Sequence, residues 1–294
     1  MNNEVLLESG TNELEILEFK LGNNYYGINV AKIREILPYK KPTPVPNAHP
    51  CIEGIFMPRD TIITIVDLAK CLNINENINH SSDMTIVTNF NKINVAFHVH
   101  GVIGIHRVSW GDIYKPDETI HAVATGIVKI EEKLIVVLDF EKIISEISPE
   151  TGLKVSDINH LGKRDRNETP ILISEDSPLL NNLIRECLSK AGYVNIISTI
   201  NGQEAWDKLQ EFKSNKMIND KVKCVITDIE MPQMDGHHLT KLIKTDSELK
   251  SLPVIIFSSL INDEMRKKGE VVGADAQITK PEIGTLVDII DKLI

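Results

Sequence analysis

The sequence predicts a multidomain protein with a β-rich N-terminal lobe and an α/β C-terminal lobe. Residues 12–152 hold many short apolar strands separated by turn residues such as Gly22-Asn23-Asn24. Residues 169–294 alternate short apolar runs with helical patterns, which is typical of a parallel sheet covered by helices on both faces. The length of 294 residues suffices for two domains of ordinary size. Between the two lobes, residues 153–168 are polar and predict an exposed linker.

An internal repeat with an offset of 72 residues organises the N-terminal lobe. Gly54-Ile55 and Asp67-Leu68 are matched by Gly126-Ile127 and Asp139-Phe140, with eleven residues between the pairs in each copy. Such self-similarity indicates one β-module used twice. We therefore expect two small packed barrels, with Asp67 and Asp139 near strand ends or helix starts. The candidate strands include Leu14–Lys20, Tyr25–Val30, Ile33–Leu37, Thr61–Val66, Met84–Thr88, Ile93–Val99 and Lys133–Leu138.

Five strands and five helices alternate in the C-terminal lobe, which is the order of a flavodoxin-like (βα)5 domain. Ser177 and Pro178 suit the N-cap and the first residue of the first helix, and Gly192 suits its C-terminal stop. The polar stretch Lys213–Asp220 predicts a surface loop. The predicted strands are Ile171–Ser174, Asn195–Thr199, Lys223–Thr227, Pro253–Ser258 and Ala276–Thr279, and the later helices are Gln203–Phe212, His237–Lys244, Asp263–Val272 and Glu282–Leu293.

Polar side chains follow or end four of these strands. Glu175 and Asp176 follow the first strand, Asp228 follows the third, Ser258 ends the fourth and Lys280 follows the last. Because the carboxyl ends of parallel strands converge on one edge of a sheet, we expect these five side chains to meet there.

The expected cluster has the residue types that phosphoryl transfer requires. Three neighbouring carboxylates repel one another unless a cation neutralises them, and Mg²⁺ is the hard ion that suits carboxylate oxygens plus a phosphate. Asp228 would attack phosphorus as a nucleophile and form an acyl phosphate. The metal ion and the Lys280 ammonium would stabilise the phosphoryl oxygens, and Ser258 would hydrogen-bond one of them.

The order of acidic pair, aspartate, serine and Lys-Pro resembles the receiver domain of two-component response regulators, over roughly residues 169–294. The resemblance implies that Asp228 is the phospho-acceptor and that Ser258 and Lys280 act on the phosphoryl group. It also implies a Mg²⁺ site formed by Glu175, Asp176, Asp228 and the backbone carbonyl of Glu230. Gln277 stands where many receivers carry an aromatic switch residue, so an aromatic rotamer switch is not expected.

The N-terminal lobe resembles CheW, the coupling protein of bacterial chemotaxis, over roughly residues 12–150. The motifs that carry the resemblance are Tyr26-Gly27-Ile28-Asn29-Val30, Ile33-Arg34-Glu35-Ile36, Gly54-Ile55 and Arg59 followed by Ile62–Leu68. The resemblance implies two SH3-like barrels, with one surface for a histidine kinase and another for the chemoreceptor tip. Arg59 falls at an Arg-Gly turn of that family, where Asp60 replaces the glycine, and is a candidate partner-binding residue.

A CheW-like domain followed by a receiver resembles the CheV family of chemotaxis coupling proteins. That resemblance implies a CheW-like domain at residues 12–152, a linker at 153–168 and a receiver domain at 169–294. It implies a phosphorylation-regulated adaptor between chemoreceptors and a histidine kinase, rather than an enzyme. No effector segment follows the second lobe in this sequence, so we expect phosphorylation to act on residues 1–150 or on a partner bound there.

Composition and charge exclude several other classes. Residues 1–150 carry 13 basic and 20 acidic side chains, a net charge of −7, and residues 170–294 carry 15 and 19, a net charge of −4. Neither lobe has the basic face that nucleic acid or anionic lipid would require. No apolar run approaches the ~20 residues of a membrane span, and the start of the chain does not resemble a signal peptide. We therefore expect a cytoplasmic protein that reaches membrane receptor arrays only through its partners.

One enzymatic alternative starts from the same aspartate. Asp228-Ile229-Glu230 resembles the Asp-x-Asp box of haloacid-dehalogenase-type phosphatases, which are Mg²⁺-dependent and use an aspartyl nucleophile. That box ends the first strand of its domain, whereas Asp228 follows the third predicted strand here. The acidic pair Glu175-Asp176 would also have no role in such an enzyme.

Overall fold

The computed structural model describes residues 12–74, 82–90, 93–114, 123–148 and 164–294. These residues form two compact units, the N-terminal lobe within residues 14–151 and the C-terminal lobe within residues 152–294. The predicted linker therefore lies partly outside the described residues, which resume at Arg164.

The described part of the N-terminal lobe contains ten strands and two short α-helices. The strands are β1 (Glu13–Leu21), β2 (Asn24–Asn29), β3 (Ile33–Pro38), β4 (Ile52–Phe56), β5 (Ile63–Asp67), β6 (Met84–Phe90), β7 (Ile93–Val99), β8 (Gly101–Ser109), β9 (Ala124–Ile130) and β10 (Lys133–Leu138). The helices are α1 (Leu68–Cys71) and α2 (Phe140–Ile147). The seven predicted strands agree with members of this set, whereas β4, β8 and β9 were not among the predicted strands.

The ten strands form two five-stranded sheets that exchange strands between the two copies of the repeat. One sheet has the order β8-β1-β2-β10-β9 and the other has the order β3-β6-β7-β5-β4. The first copy contributes β1 to β5 and the second contributes β6 to β10. Each sheet therefore has the same internal order but draws its strands from both copies. Neither copy can complete a sheet alone, so the lobe folds as one intertwined unit.

The repeat extends to individual hydrogen bonds. Asp67 Oδ1 accepts a bond of 2.9 Å from the Lys70 amide at the start of α1, and Asp139 Oδ1 accepts one of 2.9 Å from Lys142 at the start of α2. Both aspartates thus cap helices, because a side-chain oxygen at the N-cap satisfies a free amide of the first turn. The Asp67 and Asp139 amides in turn donate to Cys51 O at 2.8 Å and to Val123 O at 2.9 Å, which are also 72 residues apart.

Helix α2 supplies the aromatic centre of the core. The Phe140 ring contacts the Phe97 ring edge-on at 4.7 Å between centroids, and the Phe19 ring at 6.2 Å. All three side chains are fully buried, and Phe19 and Phe97 belong to different sheets. Because an aromatic side chain buries a large apolar area in an edge-to-face arrangement, this trio joins the two sheets to α2.

The C-terminal lobe is a five-stranded parallel sheet covered by helices. Its strands are β11 (Ile171–Ser174), β12 (Ile196–Thr199), β13 (Cys224–Thr227), β14 (Val254–Ser258) and β15 (Ala276–Thr279). Its helices are α3 (Pro178–Lys190), α4 (Gly202–Ser214), α5 (Ile218–Lys221), α6 (Gly236–Thr245), α7 (Asp263–Val272) and α8 (Ile283–Leu293). The sheet order β12-β11-β13-β14-β15 is flavodoxin-like and confirms the predicted (βα)5 arrangement.

The polar stretch Lys213–Asp220 is not simply the surface loop that the sequence predicted. Helix α4 continues to Ser214, and the additional short helix α5 begins at Ile218. Lys213 Nζ lies 2.7 Å from Asp246 Oδ2, which holds the end of α4 against the end of α6. This ion pair joins residues that are distant in sequence, so the local pattern gives no sign of it.

Helices in the described part of the chain fall short of the length and apolar character that a membrane span requires.

Because His237 is buried, we expect it to make the stability of the C-terminal lobe depend on pH. Burial, and then the nearby Lys268 ammonium, lower the pKa of His237 to about 4. In an unfolded chain the histidine pKa is about 6.5, so between pH 6.5 and 4 the unfolded state binds a proton that the folded state excludes. The contribution of His237 to stability should therefore fall as the pH falls through this window, by about 3 kcal/mol of unfolding free energy at pH 4.

Urea unfolding at pH 7.5, 6 and 5 would test this prediction. Removing the titrating group with His237→Gln should remove this contribution, so that the variant loses less stability than the unaltered protein as the pH falls. His238→Gln, one residue further along α6 and less buried, serves as the control and should keep the dependence of the unaltered protein. An equal pH slope for His237→Gln and the unaltered protein would contradict the assignment.

Candidate functional site

The first two acidic residues are positioned by the end of β11. Glu175 directly follows this central strand, and its amide donates to Thr199 O at 3.1 Å. Its Oε1 accepts from the Ser177 amide at 3.3 Å, and its carbonyl accepts from Asn181 Nδ2 at 3.3 Å. The Glu175 side chain is consequently buried, whereas the next residue, Asp176, is half-buried.

Asp228 directly follows β13, the neighbouring strand. Its amide donates to Ser174 O at 3.0 Å, and its Oδ1 accepts from the Ile229 amide at 2.6 Å. Gly236, the first residue of α6, lies so close that a Cβ there would overlap the Asp228 carbonyl oxygen. A glycine at this position therefore allows the helix to approach the aspartate, which is how a sheet-end carboxylate becomes part of a compact site.

Lys280 joins these carboxylates. Its Nζ lies 2.7 Å from Glu175 Oε2 and 3.0 Å from Asp228 Oδ2, and its amide donates to Ser258 O at 3.0 Å. All four residues are buried. Burial raises the pKa of Glu175 above its ordinary value, even though the Lys280 ammonium opposes this shift. The Lys280 ammonium, which follows β15, thus contacts the residues that follow β11 and β13.

The acidic cluster has the composition of a divalent cation site. Glu175, Asp176 and Asp228 each offer a carboxylate oxygen, and these three atoms lie within 4.8 Å of one another. Three carboxylates and one ammonium leave a formal charge of −2, which one Mg²⁺ would neutralise. An all-oxygen set of two or three carboxylates, completed by water or phosphate, is the ligand set that Mg²⁺ prefers.

The remaining predicted site residues are Ser258, Glu230 and Arg59, and the first two belong to the same lobe as the acidic cluster. Ser258, the buried last residue of β14, accepts from the Leu260 amide at 3.2 Å through its Oγ. Glu230 is half-buried in the connection between β13 and α6. Arg59 lies in the N-terminal lobe, in the turn between β4 and β5, with Nη2 3.0 Å from Glu35 Oε2. Its side chain is 74% exposed, as a partner-binding residue requires.

The Gln277 side chain packs against α7. Its Nε2 donates to Arg266 O at 2.7 Å, and a Cβ at Gly269 would overlap its amide group. Gln277 Oε1 is buried and has no hydrogen-bond partner among the described residues. A hydrogen-bonded amide thus stands at the position where no aromatic rotamer switch was expected.

Sequence reasoning overlooked two residues that shape the site. Asn181 bonds the carbonyls of Glu175 and Thr199 from the second turn of α3, at 3.3 and 3.4 Å. Gly236 allows the close approach of α6 to Asp228. A buried asparagine three residues after Pro178 and a glycine directly after the N-cap Asp235 were visible in the sequence, but both types are common at helix starts.

Two family models match the chain. The CheW-like domain matches residues 15–148, and the response regulator receiver domain matches residues 171–291. These ranges cover the intertwined sheets of the N-terminal lobe and the parallel sheet of the C-terminal lobe.

Similar proteins match either most of the chain or part of it. Chemotaxis protein CheV3 of Helicobacter pylori is 29% identical over 299 residues, covering 96% of this chain and 95% of that protein. Chemotaxis protein CheW of Thermotoga maritima is 30% identical over 149 residues, covering 50% of this chain and 98% of that protein. Chemotaxis protein CheY1 of Helicobacter pylori is 34% identical over 89 residues, covering 30% of this chain and 66% of that protein. The chain belongs to the CheW-like family of chemotaxis proteins, in the form that carries a response regulator receiver domain after the CheW-like domain.

Proposed function

We propose that this protein is a chemotaxis adaptor whose C-terminal lobe accepts a phosphoryl group on Asp228. The observation that carries the proposal is the contact of Lys280 Nζ with the carboxylates of Glu175 and Asp228, at 2.7 and 3.0 Å. This contact places a fixed cation beside the nucleophile, inside a cluster whose formal charge calls for a divalent metal ion. Electrostatic stabilisation by such cations supplies most of the catalysis in phosphoryl transfer.

Each residue of the cluster has a separate task in the proposed reaction. An Asp228 carboxylate oxygen forms the new bond to phosphorus, while the bond from phosphorus to the imidazole nitrogen of a kinase phosphohistidine breaks. The leaving imidazole keeps the electron pair of that bond. Glu175, Asp176, Asp228 and the Glu230 carbonyl would hold Mg²⁺, which neutralises the transferred oxygens. Lys280 and Ser258 would each bond one phosphoryl oxygen.

The N-terminal lobe would supply the coupling activity. It belongs to the same family as a chemotaxis CheW protein over almost the whole length of that relative. We infer that it binds the chemotaxis histidine kinase and the cytoplasmic tips of chemoreceptors, and that Arg59 contributes to one of these surfaces. The protein would then act at membrane receptor arrays from the cytoplasmic side, through its partners.

An adaptor of this kind is not an enzyme with a turnover substrate. We expect one phosphoryl group per molecule and only slow self-dephosphorylation. The phosphatase alternative has no support from the family match, because Asp228 lies within the part of the chain that matches receiver domains. Glu175, for which a phosphatase of that class has no role, contacts the same lysine as Asp228.

Phosphorylation should require Asp228 and Mg²⁺. Asp228→Asn should abolish labelling by the kinase or by a small phosphodonor, because the amide lacks the nucleophilic oxygen. Asp176→Ala should weaken Mg²⁺ binding by roughly tenfold or more, since it removes a direct ligand. Asp220→Asn, an exposed change in α5, is the control for a lost carboxylate. Undiminished labelling of Asp228→Asn would refute the assignment, and Mg²⁺ binding can be followed by calorimetry.

Phosphorylation should also depend on the close approach of Gly236. In Gly236→Ala the new methyl group displaces either α6 or the Asp228 backbone, and a shift of about 1 Å in a reacting group can cost on the order of 100-fold in rate. Gly104→Ala is a matched control, because a Cβ at Gly104 meets no atom within 4 Å. The measurement is the rate of labelling by a small phosphodonor, and an unchanged rate in Gly236→Ala would contradict the prediction.

Coupling to the kinase should respond to phosphorylation through Ser258. We expect the affinity of the protein for the kinase–receptor complex to change by roughly 5–150-fold, the usual range for linked binding sites. Ser258→Ala should still be phosphorylated but lose most of this change, whereas Ser214→Ala in α4 should keep it. Co-sedimentation with receptor arrays and kinase, with and without phosphorylation, measures the change. Equal affinity and equal kinase output in both forms would leave the receiver as a phosphate sink only.

A further inference from the structure

The chain just before β11 is folded onto the C-terminal lobe. The Asn167 amide donates to Gly192 O at 2.8 Å, and the Val194 amide donates to Asn167 O at 3.1 Å. The Thr169 amide donates to Asn167 Oδ1 at 2.9 Å. We call residues 164–169 the strap. Although most of it falls in the predicted linker, the strap runs beside the chain that leads into β12.

The strap depends on a glycine for its close approach. Gly192 has a φ of +100°, a left-handed conformation that side chains disfavour. A Cβ at this residue would also overlap the Asp165 carbonyl oxygen. Gly192 therefore serves two purposes. Its left-handed conformation lets the chain turn after the end of α3, and its lack of a side chain leaves room for the strap.

A three-residue cluster anchors the first described residue of the strap. Arg164 Nη2 lies 2.7 Å from Asp291 Oδ1, and the buried Tyr193 hydroxyl donates to the same carboxylate oxygen. The Arg164 guanidinium also lies 5.9 Å from the centre of the Tyr193 ring. Burial alone would raise the pKa of Asp291, but the bonds from Arg164 and Tyr193 hold it below its ordinary value. Asp291 lies in the last turn of α8, where an acidic side chain is unfavourable because it meets the negative end of the helix dipole. The positive charge of Arg164 offsets this cost.

Helix α8 connects this anchor to the phosphorylation site. It begins three residues after Lys280 and carries Asp291 in its last turn, about 12 Å along the helix axis from Ile283 at 1.5 Å per residue. Its inner face is fully buried against the sheet through Ile283, Leu286, Val287 and Ile290. A helix packed in this way moves as a unit, because a close-packed interface does not deform continuously.

We propose that the strap is the element through which the receiver passes its phosphorylation state to the chain that leads to the N-terminal lobe. The proposal rests on phosphorylation of Asp228. A phosphoryl group on Asp228 offers Lys280 new oxygens in place of its two carboxylate contacts. The start of α8 shifts with Lys280, the far end of the helix moves away from Arg164, and the strap loosens. Arg164 and Asp291 are positioning residues here, since they act on the strap and not on the phosphoryl group.

Amide hydrogen exchange of the full-length protein, with Mg²⁺ and with or without beryllium trifluoride as the phosphoryl analogue, tests this proposal. The analogue should speed exchange at the Asn167, Thr169 and Val194 amides by at least about fivefold, the lower end of typical coupling between sites. Unchanged or slower exchange at these amides, with altered exchange at the Leu260 amide beside Ser258, would overturn the strap proposal alone. No change at either place would overturn both the strap proposal and the assignment of Asp228.

Two arginines in the strap give a matched pair of variants. Arg164→Gln should speed exchange of the strap without the analogue, and the analogue should then add little. Its rate of phosphorylation should stay that of the unaltered protein. Arg166→Gln also removes one positive charge from the strap. Arg166 is exposed, and its Nε lies 2.6 Å from Glu168 Oε1. This control variant should behave like the unaltered protein. Asp291→Asn provides a second route to the same loss of the anchor. If the strap of either anchor variant stays protected and still responds to the analogue, the anchor has no such role.

Discussion

The contact of one buried ammonium with two carboxylates determines the arrangement of the C-terminal lobe's site. Lys280 can reach both Glu175 and Asp228 only because β11, β13 and β15 run parallel and end at the same edge. The cation costs a large desolvation free energy unless it is paired, and the carboxylates repel one another unless a cation lies between them. These opposing costs make the lysine and the acidic cluster dependent on each other. They also leave a net negative formal charge, which a divalent ion would neutralise.

The sequence was sufficient to predict this site because its signals are local and the rule that joins them is general. Glu175, Asp228 and Lys280 each follow a short apolar run, and the alternation of strands and helices makes those runs parallel. Strand exchange between the two copies in the N-terminal lobe could not be predicted in the same way. The offset of 72 residues shows that the copies are alike, but it says nothing about whether β3 pairs within its own copy or with β6. Similar copies offer both pairings, and only the packed core selects one.

The strap was hidden for a different reason. Its sequence is polar and charged, which favours a linker. Its anchor is the bond from Arg164 to Asp291, a residue 127 positions further along the chain. A contact of that kind leaves no periodic pattern in the sequence. The same holds for Lys213 and Asp246, which hold the end of α4. Local patterns predict elements and their ends well, whereas ion pairs between distant elements become visible only in the folded chain.

The two copies of the N-terminal module share their hydrogen bonds but differ at the surface. Asp67 and Asp139 cap equivalent helices, yet Arg59 and Asp60 of the first copy correspond to Glu131 and Glu132 of the second at the same offset. The turn after β4 therefore offers a cation where the turn after β9 offers two carboxylates. Because charge at the rim of an interface decides which partner approaches it, this difference gives the lobe two dissimilar turns on a symmetric frame. Such a frame suits an adaptor that must hold unlike partners.

Gln277 favours α8 over α7 as the helix that would respond to a change at Asp228 and Lys280. Its amide is confined against Gly269 and bonded to the Arg266 carbonyl, so α7 is tied to β15 by a hydrogen bond. An aromatic ring held only by packing could swing aside, whereas moving this amide breaks its hydrogen bond beside a buried oxygen that already lacks a partner among the described residues. Helix α8 is held at its far end, through Asp291, and begins three residues after Lys280. Because α8 lies close to Lys280 along the chain and its bonded end is the far one, it is the helix expected to move.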